Sequence, residues 1–156
     1  MGGATSIEAR LQRLEDLEEI RELFNEYKRV LDGKDFSAYA ALFAKGGEFL
    51  AGTLHAKGRT EIQSLVEGML GNLLGDELGN DFHLAVNPTI HLEGDRATAE
   101  VTWVYVVRGE DDQPVLSKLG HYNDVLIRED GRWKFLRREA PMDIPALWVD
   151  PLEGQR

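Results

Sequence analysis

FHLAVNPTIHLEGDRATAEVTWVYVV, residues 82–107, contains two runs in which apolar and polar residues alternate, joined at Glu93-Gly94-Asp95. Phe82, Leu84, Val86, Ile90 and Leu92 recur with a period near two before the turn, and Ala97 to Val107 repeats the pattern after it. Successive side chains of a strand point to opposite faces, so this period marks strands. Val115 to Arg128 follows across the loop Gly109 to Pro114, and Trp133 to Arg138 follows Asp130-Gly131. Asp-Gly suits a hairpin, because both central residues of a type I′ turn need positive φ. The C-terminal half is predicted to be a strand meander.

Working back toward the N-terminus, the period becomes 3.6. Ile7, Leu11, Leu14, Leu17, Ile20, Phe24, Tyr27 and Leu31 form one stripe of an amphipathic helix. Thr5, with Glu8 after it, is predicted as its capping box, and Asp32-Gly33 as its end. Asp35 is expected to cap a second helix, Phe36 to Phe43, stopped by Gly46-Gly47. Glu48 to Ala56 reads as one or two short strands, and a third helix after Gly58 carries Ile62, Leu65, Val66, Met69 and Leu73. Helices at the front and strands at the back, without βαβ alternation, predict an α+β fold with helices on one face of an antiparallel sheet.

The 156 residues suit one domain, 7–145, between a flexible N-terminus, 1–6, and a C-terminal tail, 146–156. From Pro141 onward, with Pro145 and Pro151, the chain is expected to leave the strand ladder, because proline cannot donate to it. The absence of cysteine excludes a disulfide scaffold, a cysteine-ligated metal and a cysteine nucleophile. A net charge of −10 opposes nucleic-acid binding. No apolar run reaches the roughly 20 residues of a membrane span, and a cytoplasmic location is expected. Neither H-x-x-x-H nor H-E-x-x-H occurs, nor a glycine-rich nucleotide loop, so no metal and no cofactor are expected.

Among four histidines, the natural acid–base candidates near neutrality, His83 and His91 lie in one strand with Asn87 midway. All three share a face unless Pro88 introduces a bulge. A strand histidine is more often structural than catalytic, and acid–base work also requires a carboxylate to orient the ring. Asp32, at the end of the first helix's apolar stripe, is the candidate partner.

Several segments together resemble the SnoaL-like polyketide cyclase family. They are Tyr27-Lys28-Arg29-Val30-Leu31-Asp32, Asp35 to Phe43, His83-Leu84-Ala85-Val86-Asn87, Gly94-Asp95-Arg96-Ala97, Gly120-His121-Tyr122-Asn123-Asp124 and Arg128 to Arg138. The resemblance implies the nuclear transport factor 2-like superfamily: a cone-shaped α+β barrel of a curved mixed or antiparallel sheet with three N-terminal helices. It also implies an apolar pocket for a small hydrophobic ligand, and a homodimer, for which the convex sheet face is the expected interface. The segments holding Asp32 and His83 are similar to those that supply an Asp–His dyad in scytalone dehydratase and hexachlorocyclohexane dehydrochlorinase.

On that resemblance His83 is the expected general base and Asp32 its orienting partner, with Asp35 as the alternative and Tyr27 bonding a substrate oxygen. Asn87, Trp103, Tyr105, Tyr122 and Asp124 are the expected substrate-binding positions, and Met69, Leu70, Leu73 and Leu74 lie near the pocket mouth. The dehydratase's second histidine has no counterpart in Ala97 to Val107. Arg128, Arg137 and Arg138 are expected to meet solvent or surface carboxylates. The implied function is a cofactor-independent lyase or isomerase, of dehydratase or cyclase type, acting on a small hydrophobic cyclic substrate. Its rival is a non-catalytic binding or structural subunit, with His83 in a dry core or Asp32 facing bulk water.

Overall fold

The alternating segments form four long strands: β3 (Asp81–Glu93), β4 (Arg96–Arg108), β5 (Pro114–Glu129) and β6 (Arg132–Glu139). The computed structural model describes residues 5–73 and 81–144, with side chains as far as residue 70 in the first stretch. Before these strands come α1 (Ile7–Asp32), α2 (Phe36–Ala41), β1 (Phe43–Ala51), β2 (Leu54–Lys57) and α3 (Arg59–Leu73), and after them β7 (Met142–Ile144). The strands make one mixed sheet in the order β2-β1-β6-β5-β4-β3, with β7 on β5. Among the described strands, only β1 and β6 run parallel. The path ends at β2 and β3 without closing, so the expected α+β barrel is an open one. The tail beyond residue 144 lies outside the described residues, as do the first four residues of the N-terminus.

The core joins the second half of α1 to the inner face of the sheet. Ile20, Phe24 and Tyr27 are buried among Phe43, Leu126 and Phe135, and the Phe24 and Phe135 rings lie 5.8 Å apart. The start of the stripe is not used in this way: Ile7, Leu11 and Leu14 are 77%, 54% and 63% exposed. The N-cap is Ser6, one residue after the expected Thr5, and its hydroxyl accepts from the Ala9 N–H at 3.1 Å.

Gly46-Gly47 does not terminate a helix. α2 ends at Ala41, and β1 runs through both glycines. A Cβ on Gly47 would come within 3.0 Å of the Phe135 carbonyl, so glycine here permits close approach of β1 to β6. Pro141 also differs from expectation, since the chain rejoins the sheet directly after it. The Pro141 carbonyl accepts from His121 N–H at 3.4 Å, and Met142 pairs with Gly120. Pro145 and Pro151 lie outside the described residues.

Asp16 fastens α1 to the sheet. Its carboxylate accepts from the Arg128 guanidinium, from Trp133 Nε1 at 3.3 Å and from Gln12 Nε2 at 3.1 Å. Burial alone would raise the Asp16 carboxyl, but these donors more than reverse it and hold it below the usual carboxylate range. Asp16→Ala is expected to cost about 2 kcal/mol, read as a lowered urea midpoint at unchanged slope. Because the folded-state value is depressed, the contribution is full above the unfolded value near ~4 and is lost as pH falls through the folded one. The gap between wild type and variant therefore narrows on acidification, and a gap that widened would refute this role.

Candidate active site

β3 presents alternate residues inward, and its register sets His83 beside Tyr105 and Ala85 beside Trp103 on β4. The pairing slips between Val86 and Thr89, where Asn87 adopts φ +53 ahead of Pro88. Proline has no N–H for the ladder, and one extra residue reverses the facing of everything after it. His91 consequently pairs with Thr98 and is exposed on the outer face, opposite to His83. Asn87 is exposed in the bulge and does not line the cavity, which corrects its expected place in substrate binding.

Asp32 is the last residue of α1. An acidic residue at a helix C-terminus opposes the helix dipole, so helix stability does not explain it. Its partner does: Asp32 Oδ1 accepts from His83 Nδ1 at 2.8 Å and from the His83 backbone N–H at 3.0 Å. A carboxylate can only accept, so Nδ1 carries a proton, and in the neutral ring Nε2 is the basic nitrogen. The two side chains are 14% and 16% exposed, neither dry nor open to bulk water. Asp35 is occupied elsewhere, accepting from Ala38 N–H as the cap of α2.

His83 opens onto a cavity of about 380 Å³, at the small end of the roughly 300–1,000 Å³ usual for ligand sites. Tyr27, Trp103, Tyr105 and Tyr122 line it, and Val66, Met69 and Leu70 supply an apolar wall. The Leu73 side chain and Leu74 lie outside the described residues. Tyr105 packs against the His83 ring at 4.7 Å and donates its hydroxyl to Asp81 Oδ2 at 3.1 Å. Burial, then the Asp81 charge, push that hydroxyl well above the usual tyrosine range. A larger hollow, about 680 Å³, lies on the outer sheet face around His91, Glu100, Asn123 and Arg137, away from the dyad.

Beneath the cavity, Tyr27 and Tyr39 share a hydroxyl–hydroxyl hydrogen bond of 3.1 Å, and the Tyr122 ring meets Tyr27 edge-on at 5.6 Å. Burial keeps Tyr39 and Tyr122 protonated. The Arg138 guanidinium lies 4.0 Å from the ring centroids of both Tyr27 and Tyr122. It is fully buried and bonds both oxygens of Asp124, at 2.7 and 2.6 Å. Two expectations are thereby corrected: Asp124 holds Arg138 and does not line the cavity, and Arg138 is a core cation. Arg128 and Arg137 do pair with carboxylates, Asp95 and Glu139 among them. Tyr39 and Lys118 also line the cavity, and the sequence pattern does not single them out. The first sits at core spacing beside Phe36 and Phe43, and the second is one polar residue in a strand.

A second His–Asp pair, His121 Nδ1 with Asp143 Oδ2 at 2.7 Å, is more exposed, and neither residue lines the cavity. Behind the cavity wall, a Cβ on Gly120 would lie 2.3 Å from both the Trp103 ring and the Pro141 carbonyl. Gly120→Ala is therefore expected to cost about 1–3 kcal/mol and to displace Trp103. Thermal unfolding and tryptophan fluorescence check this, and an unchanged spectrum would contradict it.

A family model described as a SnoaL-like domain matches residues 12–139. The chain belongs to the SnoaL-like domain family. No functionally curated protein matches it by sequence. An NTF2-like protein with a cystatin-like fold from Novosphingobium aromaticivorans is 31% identical, with 90% of each chain covered and a TM-score of 0.78. A scytalone dehydratase-like protein from the same organism is 25% identical over 83% of this SnoaL-like chain and 85% of its own, at TM-score 0.68. ActVI-ORFA from Streptomyces coelicolor, 23% identical, covers 82% of this chain and 97% of its own at TM-score 0.71, which is a likeness of fold. Among the described residues of the SnoaL-like chain, no helix is long and apolar enough to cross a membrane, and no group of three or more acidic or histidine side chains is placed to hold a metal ion.

Proposed function

We propose that this chain is a cofactor-independent lyase or isomerase, of dehydratase or cyclase type, acting on a small hydrophobic cyclic substrate. The observation that carries the proposal is the Asp32–His83 hydrogen bond, which leaves Nε2 as the free nitrogen of a residue lining an apolar cavity. His83 Nε2 takes a proton from carbon beside a carbonyl or a leaving group. The C–H electron pair moves onto the carbonyl oxygen as an enolate, or expels the leaving group as a double bond forms. Asp32 steadies the imidazolium, and the Tyr27 or Tyr122 hydroxyl donates to the developing oxygen charge, an interaction strengthened where water is excluded. His83 then returns the proton to another carbon or to the departing group.

Incubating a panel of cyclic ketones with the protein in D₂O, and following mass gain at the acidic carbon, tests this directly. Exchange that requires His83 is expected, whereas exchange equal to that of the His83→Ala protein would leave only the binding role. The pairing of two copies is likewise proposed, through the outer sheet face where Phe82 and Leu84 are 51% and 42% exposed. Light scattering is expected to give twice the chain mass, and Leu84→Lys to reduce it to one.

A further inference from the structure

Three side chains form a row across neighbouring strands on the cavity face: His83 on β3 pairs with Tyr105 on β4, which pairs with Lys118 on β5. Adjacent strands are about 4.8 Å apart, so the backbones of His83 and Lys118 stand about 10 Å apart with the Tyr105 ring between them. That ring is 4.7 Å from the imidazole on one side and 5.6 Å from Lys118 Nζ on the other. All three residues line the cavity.

Lys118 has no carboxylate within salt-bridge distance among the described residues, and its ammonium lies over the Tyr105 ring. The acids beside the other two members of the row are engaged, Asp81 by the Tyr105 hydroxyl and Asp32 by His83. The Tyr105 ring supplies a cation–π contact but no counter-charge to this ammonium. A ligand anion would supply it, and would otherwise be repelled by a chain of net charge −10. We infer that Lys118 is the specificity-determining residue of the cavity, which takes an aromatic carboxylate with its anionic group on Lys118 and its ring system extending toward His83. This rests on the cavity being the substrate site proposed above. It narrows the substrate class to ring compounds that carry a carboxylate about one ring system away from the acidic carbon.

The test compares 2-naphthoate with its neutral isostere 2-naphthamide by calorimetric titration of the full chain at low salt. Wild type is expected to bind the carboxylate about tenfold more tightly, as one charge-assisted contact warrants, with the ratio shrinking as salt rises. Lys118→Met is expected to bring the ratio to about one without changing the affinity for the amide, which also shows that the variant is folded. Lys118→Arg is expected to keep the preference. Equal affinities in wild type, a preference that survives in Lys118→Met, or no binding of either probe would each overturn the inference. His83→Ala is expected to retain the preference, so loss of the catalytic reading alone would appear as absent deuterium exchange with the carboxylate preference intact.

Discussion

His83→Ala is expected to lower turnover about 10²–10⁴-fold, the usual worth of a positioned general base, or about 3–5 kcal/mol of barrier. The loss should fall on kcat with little change in KM, because the imidazole acts in the transition state and contributes little ground-state contact. The variant also leaves Asp32 with the backbone N–H at position 83 as its remaining donor of the two. His83→Gln separates that structural effect from chemistry, since glutamine can donate to Asp32 but cannot accept a substrate proton at neutral pH. Both variants should be comparably slow. A glutamine variant with wild-type turnover would remove His83 from the reaction. Asp32→Asn is expected to fall in the same direction, because an amide can reverse and leave the ring in the wrong tautomer.

Arg138→Met is expected to be strongly destabilising, costing about 3–5 kcal/mol, because it strands a buried carboxylate at Asp124. Arg138 and Asp124 are both fully buried, and the guanidinium packs on three aromatic rings at about 4 Å. Burial works against its charge, but Asp124 more than offsets this and holds Arg138 protonated at every accessible pH. Removing both charges, as Arg138→Met with Asp124→Leu, should restore much of the stability, since a packed apolar pair often matches a buried ion pair. Denaturant unfolding of the two single variants and the double variant completes the cycle. A cost below about 1 kcal/mol for Arg138→Met would show that the pair is dispensable.

The order of elements was legible because period is a local property. The alternation from Phe82 to Val107 and the 3.6-residue stripe ending at Leu31 require nothing distant to be recognised. The helix stripe offers Asp32 as a candidate, but its pairing with His83 in particular is singled out by resemblance, since 51 positions separate the partners. Features that arise from packing between segments stayed hidden. The bulge at Asn87 and Pro88 reverses side-chain facing and sends His91 outward, although the two residues themselves announce only a possible irregularity. Gly46-Gly47 reads as a stop, yet Gly47 serves the approach of β6, whose arrival no nearby residue foretells. Arg138 looks like a surface residue until Asp124, on the neighbouring strand, turns inward beside it. Lys118 acquires meaning only once the register places it in line with Tyr105 and His83.

The most direct test is the proton inventory of one imidazole, observed by long-range ¹H–¹⁵N NMR of the free protein at a pH where His83 is neutral. The Asp32 contact requires hydrogen on Nδ1 and a bare Nε2, with that pattern disturbed in Asp32→Asn. A spectrum with the hydrogen on Nε2 in the wild-type protein would mean that the nitrogen proposed as the base already carries a proton, and that His83 is no base.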